Sequence, residues 1–258
     1  METHIVLLFT LLMIAEVALL CHRQPRRWYL KKTLENIGTG FIALLFDHGF
    51  SLLSYPLLEC IYQHSLFCME KNRLYFVLLF IWLDFMEYWF HRLSHKLPLM
   101  WTAHKVHHQS TVFNLSVGLR TSVLIPFFNI GFYALIPLLG FDPADLLLFI
   151  FIQGAYQLFI HTELIRKLGL LDLILVTPSV HRVHHGINEE YLDKNFGKVF
   201  LVWDHLFGTY EKEAAPVRYG ASEPEGEHGI VRCQQLPVKK WWCKKRRRAH
   251  AGNPERNP

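Results

Sequence analysis

Five stretches of this chain, at about residues 4–20, 36–58, 74–90, 119–140 and 144–161, are apolar over lengths close to the roughly 20 residues that cross a bilayer as a helix. In hydrocarbon every backbone polar group must be paired within the protein. Runs of this kind therefore predict an all-α integral membrane protein with about four to five transmembrane helices. Composition agrees: 51% of the residues are hydrophobic, with 20 Phe and 7 Trp, more than a soluble domain of this length usually carries. Asp47 and His48 interrupt the second stretch, and the third ends in Asp84, Glu87 and His91. Charges at that depth mark an interior face. The turn Gly140-Phe141-Asp142-Pro143 makes a helical hairpin of the last two stretches, with Pro143 placed to start the second arm.

The charge pattern sets an orientation. With the N-terminus outside, the basic loop at 21–32 falls inside, and residues 59–73, carrying only Lys71 and Arg73, fall outside. The hairpin turn is outside and carries no Lys or Arg, and the basic C-terminal half is inside. Each loop then obeys the positive-inside rule. The run Lys244 to Arg248 reads as an electrostatic anchor to anionic lipid, with no nucleic acid implied. The first apolar stretch lacks a basic leader and a small-residue cleavage site, so a retained span is expected despite Glu16. Leu164 to Val176 reads as interfacial. Residues 1–73 are expected to be N-terminal spans, 74–211 a catalytic domain and 212–258 a basic, disordered tail.

Eight of the 16 histidines fall into three clusters on the predicted cytoplasmic side: His91 and His95 as HxxxH, then His104, His107 and His108, and His181, His184 and His185, each as HxxHH. On a helix, residues four apart share a face, so each cluster can present two or three ring nitrogens to a common point. Eight neutral imidazoles suit two metal ions with positions left for oxygen or water. Imidazole does not choose among Zn, Fe, Cu and Ni. A structural zinc site needs four ligands and often uses Cys. The five cysteines form no CxxC pair and no haem-attachment motif. A redox-active pair acting on a lipid C–H bond fits best. His161 ends the fifth stretch and reads as a ninth ligand. Glu163 and Asp84 are the candidate catalytic carboxylates, each more suited to orienting an imidazole than to ligating metal. No GxGxxG motif is present, so electrons must come from outside the chain.

The order HxxxH, HxxHH, HxxHH, preceded by Asp84-Phe-Met-Glu-Tyr-Trp-Phe-His91-Arg92 and followed by Trp203-Asp-His-Leu-Phe-Gly-Thr-Tyr210, resembles the fatty acid hydroxylase or sterol desaturase superfamily. Phe113-Asn-Leu-Ser116, Leu119-Arg120, His161-Thr-Glu163, Thr177 to Gly186 and Asp193-Lys-Asn-Phe196 narrow the resemblance to the alkylglycerol monooxygenase branch and its bacterial relatives. The resemblance implies a membrane enzyme with two Fe ions that uses O2 to hydroxylate an ether glycerolipid, fatty acyl chain or sterol. It implies tetrahydrobiopterin or a separate electron-donor protein as reductant, in the bacterial inner membrane or the endoplasmic reticulum. It also marks Asn114, Arg120 and Asn195, each able to contact a ligand or to satisfy backbone. Position 205 is His where the family usually has Arg, so His205 is not counted as a ligand. From another class, a histidine-rich protein that binds or moves Zn or Cu without oxidation stays open; such a transporter would need its donors near the midplane.

Overall fold

The computed structural model describes residues 2–21 and 25–220, together with Gln234. His22, His228, His250, Cys233, Cys243 and the run Lys244 to Arg248 lie outside the described residues. The described residues are helical, with no strand and two isolated β-bridges, Leu175 with Phe200 and Gly186 with Tyr219. Two long helices, α2 (Arg26–Gln63) and α3 (Arg73–Lys96), have the length and apolarity to cross a membrane. The shorter apolar helices are α1 (Glu2–Leu20) and the later hairpin.

At 38 residues, α2 spans roughly 57 Å, far more than a bilayer core needs. The chain uses that length in two ways. From Phe41 through Leu57 its surface is largely exposed leucine and phenylalanine. Its first turns bury Tyr29, Thr33, Asn36 and Thr39 instead. These polar groups hold the loop before the hairpin. Asn36 donates to Ser110 and Ser116 at 3.1 and 3.0 Å, and Asn114 donates to Tyr29 and Thr33 at 2.8 and 3.1 Å.

Asn72 caps α3 by accepting from the Tyr75 backbone at 3.1 Å. The helix then runs unbroken through His91 and His95, as the spacing predicts. Its inner face carries Leu79, Leu83 and Tyr88, all fully buried. Pro98 opens α4 (Pro98–His108), which packs back along α3.

The fourth apolar stretch differs from the expectation. A helix was expected over 119–140, but Leu115–Leu119 forms a 3-10 turn and α5 (Ile125–Tyr133) starts six residues late. Asn114 caps that turn through the Ser116 backbone, which competes with a continuous helix. Pro137 has no N–H for the Tyr133 carbonyl, and the chain breaks at Ala134 before α6 (Leu135–Leu138). The hairpin turn forms where expected. Gly140 sits at φ +97, and a Cβ there would lie 2.2 Å from the Phe67 carbonyl oxygen. Pro143 starts α7 (Pro143–Phe159), capped by Asp142. Lys71, at 2.6 Å from Asp142 and 2.8 Å from Asp145, ties the α2–α3 loop to that cap.

Residues 164–176 are loop with one 3-10 turn, Gly169–Leu173, and expose Leu164, Ile165, Leu168, Leu170, Leu171, Leu173 and Ile174. Two short helices follow, α8 (Pro178–His184) and α9 (Val202–Leu206). Residues 213–219, read from composition as part of the tail, are held by partners elsewhere in the structure. Glu213 pairs with Arg182 at 2.8 Å and accepts from Ser179, Tyr219 stacks on Phe113, and the Arg218 carbonyl accepts from Ile187. These partners are distant in sequence, so composition could not reveal them.

Candidate metal centre

Four elements bring the nine histidines together. α3 supplies His91 and His95, and the last turn of α4 supplies His104, His107 and His108. His161 follows α7, and α8 with its C-cap supplies His181, His184 and His185. Their ring nitrogens form two groups, each with ligand atoms within 4.8 Å of one another: His91, His95, His104, His108 and His184, and His107, His161, His181 and His185. Neither Asp84 nor Glu163 belongs to a group, and His205 instead donates toward the Leu173 carbonyl.

The tautomers show what the centre can hold. His91 Nδ1 lies 2.9 Å from the Phe196 carbonyl, His107 Nδ1 2.8 Å from that of Arg120, His161 Nδ1 2.6 Å from that of Gln157 and His184 Nδ1 2.9 Å from that of Lys194. A carbonyl only accepts, so each Nδ1 carries the proton and each Nε2 carries a lone pair. Yet Nε2 of His107 and His161 approach to 3.2 Å. Two lone pairs cannot make a hydrogen bond, and a shared cation resolves the contact. His95 Nε2 and His181 Nδ1 are buried without any hydrogen bond. A neutral donor set with orphaned nitrogens fits metal ions.

Electrostatics point the same way. Burial pushes His104, His108, His181 and His185 well below the ordinary histidine value, His107 to about 4 and His184 to about 3. All six are neutral at pH 7, the form that ligates metal.

Buried carboxylates hold the backbone that orients these rings. Asp84 accepts from Val199 and Phe200 backbone at 2.8 and 3.3 Å and from the Trp203 indole at 2.8 Å. Asp204 accepts from Phe196 and Gly197 backbone at 2.7 and 2.8 Å and from the Thr209 hydroxyl. Both fix the loop whose Phe196 carbonyl orients His91. Asp204 was missed in the sequence. It lies inside the Trp203–Tyr210 segment, but nothing in the spacing ties it to a residue on α3.

Arg120, Asn114 and Asn195 satisfy protein groups. Arg120 donates to the Val106 carbonyl at 2.6 Å while its own carbonyl holds His107. Asn195, at φ +56, donates to Val180 and Glu211 carbonyls. Glu163 is exposed and hydrogen-bonds Tyr219.

Among the described residues, three cavities meet this centre or its walls. A chamber of about 180 Å³ touches His91, His104, His107, His161 and His181. An apolar groove of about 350 Å³ between α2 and α5 shares Gly118, Thr121 and Ile125 with it. A polar cleft of about 240 Å³, walled by His95, Trp101, His108, His184 and Asp193, reaches the centre separately. Gly118 leaves no room to spare: a Cβ would lie 3.1 Å from His161 Nδ1.

Residues 76–209 match the fatty acid hydroxylase family, and the chain belongs to it. Together with its apolar helices, this makes the chain a membrane protein. It is 45% identical over 153 residues to alkylglycerol monooxygenase of Danio rerio, covering 59% of this chain and 34% of that protein. Against the Homo sapiens alkylglycerol monooxygenase it is 46% identical over 146 residues, 56% of this chain and 32% of that one. Against the ornithine lipid hydroxylase OlsE of Rhizobium tropici it is 31% identical over 188 residues, 70% and 53% of the two chains. The chain thus spans about a third of the length of the two animal relatives. No solved structure matches it.

Proposed function

We propose that this chain is an O2-dependent lipid hydroxylase in which each histidine group holds one iron. The substrate class we favour is the alkylglycerol named in its relatives. The observation that carries the reading is the contact between His107 and His161, whose fixed lone pairs face each other at the wall of a chamber that shares Gly118, Thr121 and Ile125 with an apolar groove.

Bound iron would supply the oxidising power that O2 needs against an unactivated C–H bond. The chain's own part is placement and exclusion of water. The carbonyls of Phe196, Arg120, Gln157 and Lys194 hold four imidazoles in the ligating tautomer. Asp84 acts on His91 through the loop it anchors. Glu163 acts through Tyr219, which stacks on Phe113, a ring that also lies against His161 and His185. Two electrons per turnover come from an external reductant, a tetrahydrobiopterin or a separate electron-donor protein. The polar cleft beside Trp101 reaches the centre away from the lipid groove and suits such a donor.

In the bilayer we read α1, α2, α3, the α5–α6 arm and α7 as four to five spans, with the histidine-bearing cap on the cytoplasmic side. The test is elemental analysis of the detergent-purified chain together with 18O2 turnover of 1-O-hexadecylglycerol and tetrahydrobiopterin. About two irons per chain and one 18O in the product are expected. Tightly held zinc, with no O2-dependent turnover after iron loading, refutes the reading in favour of a metal-handling protein.

A further inference from the structure

α1 carries a buried carboxyl group that the chemistry above leaves unused. The helix turns Val6, Leu7, Leu11 and Ile14 outward. Its buried described residues are Phe9, Glu16 and Leu20, a single stripe at helical spacing. Two of the three pack as apolar side chains do. Phe9 meets Phe159 edge to face near the end of α7, and Leu20 joins Tyr29 and Val112. Glu16 is 2% exposed and costly in such a helix unless it is paired. Both of its oxygens accept. The Leu115 backbone N–H donates to Oε2 at 2.6 Å, and the Thr162 hydroxyl donates to Oε1. Thr162 Oγ1 also accepts from the Leu164 backbone at 3.1 Å, while its own proton goes to Glu16.

Both partners sit beside one ring of the metal centre, that of His161. Thr162 follows His161 directly. His161 lies past Ile160, the C-cap of α7, where the helix no longer dictates the backbone. Thr162 is held there from two sides: its hydroxyl by Glu16 on α1, and its carbonyl by Arg182 on α8, which donates at 2.9 Å. Leu115 opens the 3-10 turn whose Gly118 packs against the His161 ring. Glu16 therefore fastens to one another the two backbone segments that enclose His161. The five-histidine group is oriented elsewhere, with His91 held by the Phe196 carbonyl and His184 by that of Lys194.

Resting on the metal sites proposed above, we propose that Glu16 is a positioning residue of the four-histidine site, acting on His161 through Thr162 and Leu115. α1 lies outside the family-matched residues 76–209. In this arrangement it is built into one half of the metal centre and not the other. A helix that served only to anchor the chain in lipid would gain from leucine in place of Glu16, because a carboxyl group opposes insertion.

The test is Co2+ titration of the metal-free full chain in detergent, in competition with a chromogenic chelator, with neither iron nor turnover required. The wild type should take up about two Co2+ per chain. His107→Ala and His95→Ala assign the two binding steps to the smaller and larger groups. Glu16→Leu should weaken the four-histidine step about 10- to 100-fold, as loss of a group that orients a ligand does. The five-histidine step should stay as in the wild type, and its presence shows that the variant is folded. Thr162→Val should reproduce the loss, and Thr162→Ser, which keeps the hydroxyl, should bind like the wild type. Wild-type affinity at the four-histidine step in either Glu16→Leu or Thr162→Val overturns the proposal. Equal weakening of both steps overturns it too, since that marks a general loosening of the fold. A wild type that takes up no Co2+ overturns the metal-site reading and this inference with it. Two wild-type steps that Glu16→Leu does not move overturn this inference alone.

Discussion

His107 and His184 hold the same middle place in the two HxxHH motifs, and they serve opposite halves of the centre. His107 joins the four-histidine group with His161, His181 and His185, whereas His184 joins the five-histidine group with His91, His95, His104 and His108. The reason is helical geometry. Positions i and i+4 lie about 40° apart around a helix, and i+3 falls about 100° from i+4. Each motif therefore gives its outer pair to one group and its middle ring to the other, and the two short helices α4 and α8 clamp both groups together.

This crossing separates the effects of two substitutions. His107→Ala removes a donor from the smaller group and leaves the larger one complete. Metal content should fall from about two ions per chain toward one, with turnover lost. Elemental analysis beside the wild type reads this directly. Unchanged metal with full activity would contradict the assignment.

Asp204 should matter to metal binding without touching a metal. Asp204→Ala strips the backbone of Phe196 and Gly197 of their acceptor and frees the carbonyl that orients His91. Metal affinity should drop about 10- to 100-fold, as for other groups that orient a ligand. Competition with a chromogenic chelator measures it. An affinity equal to the wild type would show that the loop holds itself.

Acid should destabilise the metal-free protein. His104, His107, His108, His181, His184 and His185 titrate below the ordinary value of 6.5 because they are buried. As pH falls through 6.5 the unfolded chain takes up protons that the folded chain refuses, so stability declines. For His107 the contribution is fully lost only below its folded value of about 4. Thermal melts of the apo-protein in detergent should show Tm falling from pH 8 to pH 5. A flat or rising Tm would argue against burial of these rings.

Gly40 lets α2 approach the loop beneath the centre. A Cβ at that position would sit 2.3 Å from the Leu119 carbonyl oxygen, which belongs to backbone that cannot swing aside. Gly40→Ala should cost about 1–3 kcal/mol through overpacking. Gly49→Ala, on the same helix with nothing within 4 Å, is the control and should melt like the wild type. Equal melting of the two variants would show that α2 shifts freely.

Much of this protein was legible in its sequence, for a physical reason. A bilayer imposes helices, and α3 running through His91 to His95, the hairpin turn at Gly140 and the start of α7 at Pro143 all follow from local chemistry. Metal ligation needs particular side chains at helical spacing, so the eight clustered histidines stand out in the sequence, and His161 joins them only by its place at the end of an apolar stretch. Their division into two groups does not stand out, because it depends on how α3, α4, α8 and the end of α7 face one another. Tertiary packing alone decided that Asp84 and Asp204 hold one loop and that residues 213–219 close over the site. These roles come from partners up to 119 residues away in the chain. Local pattern records what a residue can do, and only the packed structure decides what it meets.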